Sequence, residues 1–565
     1  MQGNTLADPK HLLHDTLQTF DYVVANPPFS DKRWSNGLDP LNDPFERFTP
    51  FGVPPAKQGN YAYLLHIVRS LKSRGKGACI LPHGVLFRGN AEAQIRRALV
   101  RRGYVEGIIG LPANLFYGTG IPACVVLVDK RDAMARKGIF MIDASGGFMK
   151  DGPKNRLRDM DIRKIVDVFE QRADVPRYAR MVPLAEIEQN EFNLNLPRYI
   201  DSQTPEDRQD IAGHLQGGIP AADIDALQQY WEICPQLRHS LFKKKRRGYF
   251  ELAVVKSAIK STIYEHPQFA AYISGMKAHF DVWRKRSVRT LKVLQPGCKP
   301  KEVIAKLAAS LLKHYTSQPL IDAYDVYQHL MDYWTATMQD DIYQIDAPLE
   351  EGGGWNAKTT RIIETTKKGK QKDKGWTCDL IPKTLVVARF FAGELMAIDQ
   401  LAASLEDAAA RRSELEEEHG GEDGAFAELD KVNRANVAAR LKALKGDEAA
   451  KEEAAVLQEW LKCNLEEADH KKSLKEFEAV LDIELYACYA ELTESEVKSL
   501  VVNDKWLAAL DATIHGEIDR VSQQLTQRVK ELAERYETPL AQMAKRVSKL
   551  EAKVSGHLER MGFTL

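Results

Sequence analysis

The sequence predicts an α/β protein in which a mostly parallel sheet gives way to a mostly helical C-terminal region with a long coiled-coil-like helix. Three observations predict it. Short apolar runs alternate with helically spaced segments over residues 20–145. The chain then becomes rich in Ala, Glu, Leu and Lys over residues 394–470. Finally, apolar residues from Ile514 to Leu558 recur at steps of three or four. At 565 residues the chain is too long for one ordinary core, so two or three domains are expected.

Taken in order, FDYVVAN (20–26) reads as a short apolar strand ending in a polar turn. Helical apolar spacing runs through GNYAYLLHIVRSLKS (59–73). GKGACILPHG (75–84) is a strand bounded by Gly and Pro, and AEAQIRRALVRRG (91–103) is a helix closed by Gly103. YVEGIIGLP (104–112), PACVVLVDK (122–130) and GIFMIDAS (138–145) are further β-rich runs. Strands alternating with helices imply a mostly parallel sheet covered on both faces. The connection between Leu111 and Ile121 is too short for a crossover helix, so the strands it joins should be antiparallel.

Residues 146–242 are Pro- and Arg-rich, with short helices around MDIRKIVDVFEQR, and KKKRR (243–247) opens a long helical region. Residues 347–378 are Gly- and Lys-rich and read as irregular, and GGEDG (420–424) divides the next stretch into an αα-hairpin. The terminal stripe runs from Ile514 through Leu525, Leu532, Leu540, Val547 and Val554 to Leu558, with a kink expected at Pro539. One stripe cannot bury itself; it needs a partner helix in this chain or on another.

Lys plus Arg equals Asp plus Glu at 79 each, so net charge points to no particular partner. Seven scattered Cys without a CxxC pair argue against a disulfide scaffold or structural zinc and for reduced thiols. No apolar run approaches the ~20 residues that span a bilayer, and the N-terminus has no signal-peptide core. A cytoplasmic chain without membrane contact or resident metal is the expectation.

Asn26-Pro27-Pro28-Phe29 carries the chemistry. It comes directly after a strand, at the carboxyl edge where open α/β sheets place ligands. The Asn26 side-chain oxygen and the Pro27 carbonyl can both accept from an exocyclic NH2. Pro27 and Pro28 lack N–H groups and have fixed φ, so the loop is stiff and presents carbonyls only. Phe29 offers a face to a planar ring. Two acceptors aimed at one NH2 draw its nitrogen toward sp³ character and expose the lone pair for in-line attack on a methyl group. In duplex DNA this requires flipping the nucleotide out of the stack. The plain alternative is a rigid turn that only ends a strand.

The stretch FDYVVANPPFS resembles the catalytic motif of amino-methyltransferases. GNYAYLLH, LPHGVLFRGNAEAQIR, GIIGLPANLFYGTGIPACVVLVDK, EFNLNLPRYID, GGIPAADIDAL and the tail segments VNDKWLAAL, RVKELAERYETPL and HLERMGF are similar to the modification subunit of type I restriction-modification systems. The resemblance implies a partial Rossmann-like methyltransferase sheet and adenine-N6 methylation of DNA with S-adenosylmethionine as donor. It implies that Asn26 and Pro27 bind the adenine amine and that Phe29 stacks on the flipped base, with Phe116 and Tyr117 at a second aromatic position. It also implies DNA-specificity and restriction subunits as partners. Residues 1–145 would then be the catalytic part of the methyltransferase domain, 146–242 an α/β extension, 243–393 a helical domain and 394–565 a long-helix assembly region.

The sequence departs from that family in one respect. The Gly-rich turn that holds the donor should precede the catalytic turn, yet only 25 residues come before Asn26 and none forms it. No donor-binding residue is therefore assigned, and GNTLADP (3–9) places Asn4 where an acidic residue is usual. FDYVVA should expose an apolar edge unless another polypeptide, such as a separate N-terminal fragment, completes the sheet. The chain alone is expected to be inactive, and a silent scaffold that only assembles with a specificity subunit is the competing reading. Methylation of a protein glutamine is a third, disfavoured because it leaves the long helices without purpose.

Other features are weaker. KKKRR could grip phosphates or be a solvated helix start or linker, and KKGKQKDK (367–374) reads as a mobile loop. His83 is assigned a structural role, since this transfer needs no histidine. QDDIY (339–343) is assigned a surface or helix-capping role rather than a metal site.

Overall fold

The computed structural model describes residues 3–202, 209–365, 371–421, 423–447 and 450–563. The chain divides into two compact units. One comprises Met1–Thr262, Tyr315–Met331 and Leu525–Leu565, the other Ile263–His314 and Asp332–Gln524.

The first unit is built on a six-stranded sheet. In chain order its elements are β1 (Phe20–Ala25), α1 (Asn60–Arg69), β2 (Leu71–Pro82), α2 (Asn90–Arg101), β3 (Val105–Gly110), β4 (Ala123–Asp129) and β5 (Gly138–Asp143). Next come a hairpin, β6 (Met149–Asp151) and β7 (Lys154–Arg156), the helix α3 (Asp159–Gln171) and β8 (Ala179–Pro183). Strand order across the sheet is β8-β5-β3-β4-β2-β1. Helix α2 carries the chain from β2 to β3 and leaves a gap one strand wide. The connection after β3 is too short for another crossover, so β4 returns antiparallel into that gap. β8 adds antiparallel to β5. Only β1 with β2 and β3 with β5 are parallel, so the expected mostly parallel sheet is in fact mixed.

Burial depends on position in the sheet. All six residues of β5, an apolar run flanked by strands on both sides, are buried. β1 lies at the edge, with Val23 and Ala25 packed on the core and Tyr22 and Val24 at 75% and 80% exposure. Helix α1 stops at Arg69, earlier than its apolar spacing predicts, because Leu71 already joins β2 opposite Phe20.

Three other sequence expectations are corrected. KKKRR lies in a strand, Phe242–Arg246, paired antiparallel with Tyr249–Leu252 across a turn at Gly248 (φ 78°). Buried Phe242 anchors it, and Glu251 lies 3.3 and 3.8 Å from Lys243 and Lys245. In the second unit the stretch expected to be irregular forms a hairpin, Thr360–Thr365 with Gln371–Thr377, anchored by buried Trp376. Of the lysine-rich loop, residues 367–370 lie outside the described residues and 371–374 are strand. Asp341, expected at a surface or cap, is buried, and its carboxylate accepts from Lys505 Nζ at 2.8 Å and Trp506 Nε1 at 2.7 Å.

The second unit is otherwise helical. Helices Pro267–Leu291 and Pro300–Tyr315 meet at a stacked pair, His279 and His314, with ring centroids 3.7 Å apart. Ala392–Glu418 and Lys451–Glu491 run side by side as the predicted helical hairpin, tied by Arg412–Glu467 at 3.0 Å and by Trp460 Nε1 to Glu416 at 2.8 Å. The terminal stripe, which from Leu525 onward belongs to the first unit, splits at Pro539 into helices Ala508–Tyr536 and Leu540–Arg560. Ile514, Ile518, Val521, Leu525, Val529, Leu532 and Tyr536 are buried, whereas Leu540, Met543, Val547, Leu550 and Val554 are exposed. Among the described residues no helix is long and apolar enough to cross a membrane.

One buried group gives a pH signature. Arg47 Nη1 donates to His66 Nδ1 at 3.2 Å, so the imidazole is held neutral. Burial and the neighbouring Arg47 charge lower its pKa to about 4, only partly opposed by Asp43. The unfolded chain takes up a proton near pH 6.5 that the folded chain refuses. Stability is therefore complete above pH 6.5 and falls as pH drops toward 4. His66→Gln should flatten this loss, measured as the urea unfolding free energy at pH 7.0, 5.5 and 4.5, with a wild-type excess slope on the order of 2 kcal/mol across the window.

Candidate functional site

The catalytic-type turn begins where β1 ends. Parallel pairing of Ala25 with Cys79 brings Asn26 to the same sheet edge as the His83–Leu86 turn at the end of β2. Pro27 is buried, Asn26 and Pro28 are exposed, and Phe29 is half-buried. The turn thus has its foot in the core and its amide side chain at the surface.

The segment after Phe29 fixes the turn in place. Ser30 takes a left-handed conformation (φ 54°), and its amide donates to Asn60 Oδ1 at 2.8 Å. Asn60 is fully buried at the start of α1. Gly59 N donates to the Asp31 carbonyl at 3.0 Å, and Tyr63 Oη donates to the Asp31 carboxylate at 3.1 Å. Trp34 packs edge-on against Phe48 and donates through Nε1 to the Pro55 carbonyl at 3.0 Å. Gly59 is where this seat is tightest: a Cβ there would stand 2.6 Å from Trp34 Cβ and 3.2 Å from the Asp31 oxygen. None of these groups is legible as functional from composition or spacing, although Gly59 and Asn60 lie within the GNYAYLLH stretch that carries the resemblance.

The structure brings Phe29 and Phe116 together: their rings meet edge-to-face with centroids 5.5 Å apart. Phe116 also packs on the cluster containing Leu111, Ile142 and Ala144. Tyr117, one residue on, is 95% exposed. The two aromatics are therefore unequal, one built into the wall beside Phe29 and the other presented to solvent.

His83 stands at the same edge. Its backbone amide donates to the Pro122 carbonyl at 3.1 Å, and its Nε2 is buried without a hydrogen-bond partner among the described residues. Burial lowers its pKa, opposed by the Asp143 charge, so the ring is neutral. Asp143 is itself occupied, accepting from Ser202 Oγ at 2.6 Å and Ser145 N at 3.1 Å.

A cleft of about 270 Å³ runs beside β1, lined by Asp8, Lys10, His11, Val24 and His66 among others. These residues do not fit an adenosyl methyl donor. No glycine-rich turn into a helix N-terminus faces the cleft among the described residues, so nothing cradles the donor's polar end. Asn4 is also spent, its side chain accepting from Leu6 N at 3.0 Å and Ala7 N at 3.1 Å.

Residues 1–208 match the family described as N-6 DNA Methylase. The type I restriction enzyme MjaVII methylase subunit of Methanocaldococcus jannaschii is 34% identical over 206 residues, which is 35% of this chain and 35% of that protein. The HindI methylase subunit of Haemophilus influenzae is 32% identical over 214 residues, 36% of this chain and 46% of that protein. The match thus spans about a third to a half of these curated relatives. The crystal structure of a type I restriction-modification system methyltransferase subunit from Streptococcus thermophilus aligns at 40% identity over 35% of this chain and 41% of that one, with a TM-score of 0.32.

The seat of the turn can be tested without assaying activity. Gly59→Ala should destabilise the chain by about 1–3 kcal/mol through overpacking against Trp34. Gly89→Ala, where an added Cβ meets nothing within 4 Å, should be near neutral. Urea denaturation of both variants checks this, and equal effects would show that the seat is not tight.

Proposed function

We propose that this chain, whose residues 1–208 match the family described as N-6 DNA Methylase, is the acceptor-binding and assembly portion of an adenine-N6 DNA methyltransferase subunit in a type I restriction-modification complex. The observation that carries the reading is the Asn26–Phe29 turn at the carboxyl edge of the sheet, seated by Asn60 and faced by Phe116. In this reading an adenine flipped from duplex DNA stacks on Phe29, and its N6 amine donates to Asn26 Oδ1 and the Pro27 carbonyl. Both acceptors sharpen the nitrogen lone pair, and stiff prolines hold them without reorganisation during the reaction. Phe116 closes one side of the base pocket and Tyr117 reaches the DNA beyond it.

S-adenosylmethionine is the methyl donor in this proposal. Because the residues at the β1 cleft do not fit it, we assign the donor pocket to a further polypeptide segment that pairs with the β1 edge, where Tyr22 and Val24 are exposed. The exposed edge equally supports the second reading, that this polypeptide by itself is catalytically silent and serves assembly. DNA-specificity and restriction subunits are the partners we assign. The Leu540–Val554 stripe is the surface we give to a specificity-subunit helix.

Calorimetric titration of S-adenosylmethionine into the purified chain should show no binding, and unmethylated DNA should receive no label from it. Adding the segment that holds the donor should restore transfer to adenine, and Asn26→Ala should then reduce the rate at least ~100-fold. Label transferred by the chain alone would overturn the assignment of the donor pocket. Label appearing on a protein glutamine instead of DNA would overturn the substrate.

A further inference from the structure

The loop between β3 and β4 places an aromatic wall beside Phe29, yet it has no regular structure and contains Gly118 and Gly120. Such a loop holds a ring in place only if its backbone groups are tied down. They are tied, from outside. Lys154 Nζ donates to the Phe116 carbonyl at 2.7 Å and to the Thr119 carbonyl at 3.0 Å, bracketing Tyr117 and Gly118. Asn155, almost fully buried, donates through Nδ2 to the Ala113 carbonyl at 2.7 Å and through its backbone amide to the Asn114 carbonyl at 3.0 Å. Both residues lie on the hairpin of β6 and β7, where Lys150 faces Asn155 and Asp151 faces Lys154. Four carbonyls of one loop thus converge on two consecutive residues of one short hairpin.

We propose that Lys154, seconded by Asn155, is a positioning residue for the adenine pocket. Its ammonium fixes the Phe116–Thr119 backbone so that Phe116 stays against Phe29 and the exposed Tyr117 is presented in one orientation. An ammonium suits this task because one Nζ satisfies two carbonyls at once, each through a charge-assisted bond stronger than a neutral one. A mere hairpin closure would not require it: the strand pairing of β6 with β7 is complete without the side chain of Lys154. This proposal rests on the adenine-pocket reading for its purpose but not for its geometry, and the test separates the two.

The full chain, Lys154→Met and Lys154→Arg would be compared by hydrogen–deuterium exchange and by binding of a single-stranded 12-mer with one central 2-aminopurine, whose fluorescence is quenched by stacking. Lys154→Met should accelerate exchange at the amides of residues 113–121 at least ~10-fold, with exchange in β3 and β4 and the Tm unchanged. It should also weaken Phe29-dependent quenching several-fold, and Lys154→Arg should restore most of both. Unchanged loop exchange in Lys154→Met, or acceleration spread evenly through β3 and β4, overturns the brace. Phe29-dependent quenching that is identical in wild type and Lys154→Met overturns the positioning role. If Phe29→Ala quenches the probe as wild type does, while Lys154→Met still loosens residues 113–121, the adenine pocket fails and the brace stands.

Discussion

Residues 30–59, an excursion without helix or strand, have to be held rigidly enough to seat the Asn26–Phe29 turn, and a buried ion pair ties its middle together. Asp43 and Arg47 are both buried and bond three ways, with Nη2 to Oδ1 at 2.7 Å, Nε to Oδ2 at 2.9 Å, and the Arg47 amide to Oδ2 at 2.7 Å. Burial alone would raise the Asp43 pKa, but the bonds and charge of Arg47 outweigh it and keep the carboxylate ionised. Long irregular loops in compact units are uncommon and are generally functional. This one closes on itself through Asp43–Arg47 and reaches α1 through Arg47–His66 and Ser30–Asn60. The rigidity of the turn is therefore borrowed from α1, whose Leu64, Leu65 and Val68 are in the main core.

The same economy appears across the sheet edge. Phe29 meets Phe116, but Phe116 is carried by a loop whose backbone is tied to the β6–β7 hairpin. Each of the two aromatics is thus carried by an irregular segment pinned by a side chain from a neighbouring regular element: Asn60 from a helix for Phe29, Lys154 and Asn155 from a hairpin for Phe116. Loops so pinned can carry chemistry without the mobility that loops usually have. By contrast, β1 itself is pinned on one side only. Its pairing with β2 and the packing of Val23 and Ala25 leave a row of backbone groups and two large side chains facing outward. That is the arrangement natural sheets normally cover or blunt, and nothing among the described residues does so here.

Much of this was legible in the sequence, for reasons that are physical. The Asn26–Phe29 turn was readable because prolines admit few conformations and an apolar strand precedes them. The antiparallel return of β4 could be expected from a connection too short for a helix. The illegible part involved groups distant in sequence. Asn60 reads as an ordinary helix start until Ser30 is placed beside it, and Lys154 reads as a surface lysine until two carbonyls meet it. KKKRR misled because charge density was read as a solvated helix, whereas one buried residue, Phe242, and a turn at Gly248 were enough to make it a strand. Asp341 misled in the opposite sense. A carboxylate in a polar stretch suggested the surface, but Lys505 and Trp506, far along the chain, supply the partners that permit burial.

The terminal stripe shows how a single periodic signal can have two physical meanings. From Ile514 to Tyr536 the apolar positions are buried; from Leu540 to Val554 the same spacing continues and every position is exposed. Pro539 separates the two, since it can begin a helix but not continue one, and the chain restarts with a new axis. Periodicity records only that a face must be covered, and cannot say by what. The break converts that ambiguity into a division of labour, in which the first helix spends its stripe on this chain's own fold. The second keeps the spacing of a coiled-coil seam and leaves its large apolar side chains exposed. Five large apolar residues in heptad register on one exposed face carry a hydration penalty that scattered surface residues do not. The stripe is therefore left uncovered by this chain's own fold, and the same is true of the open edge of β1.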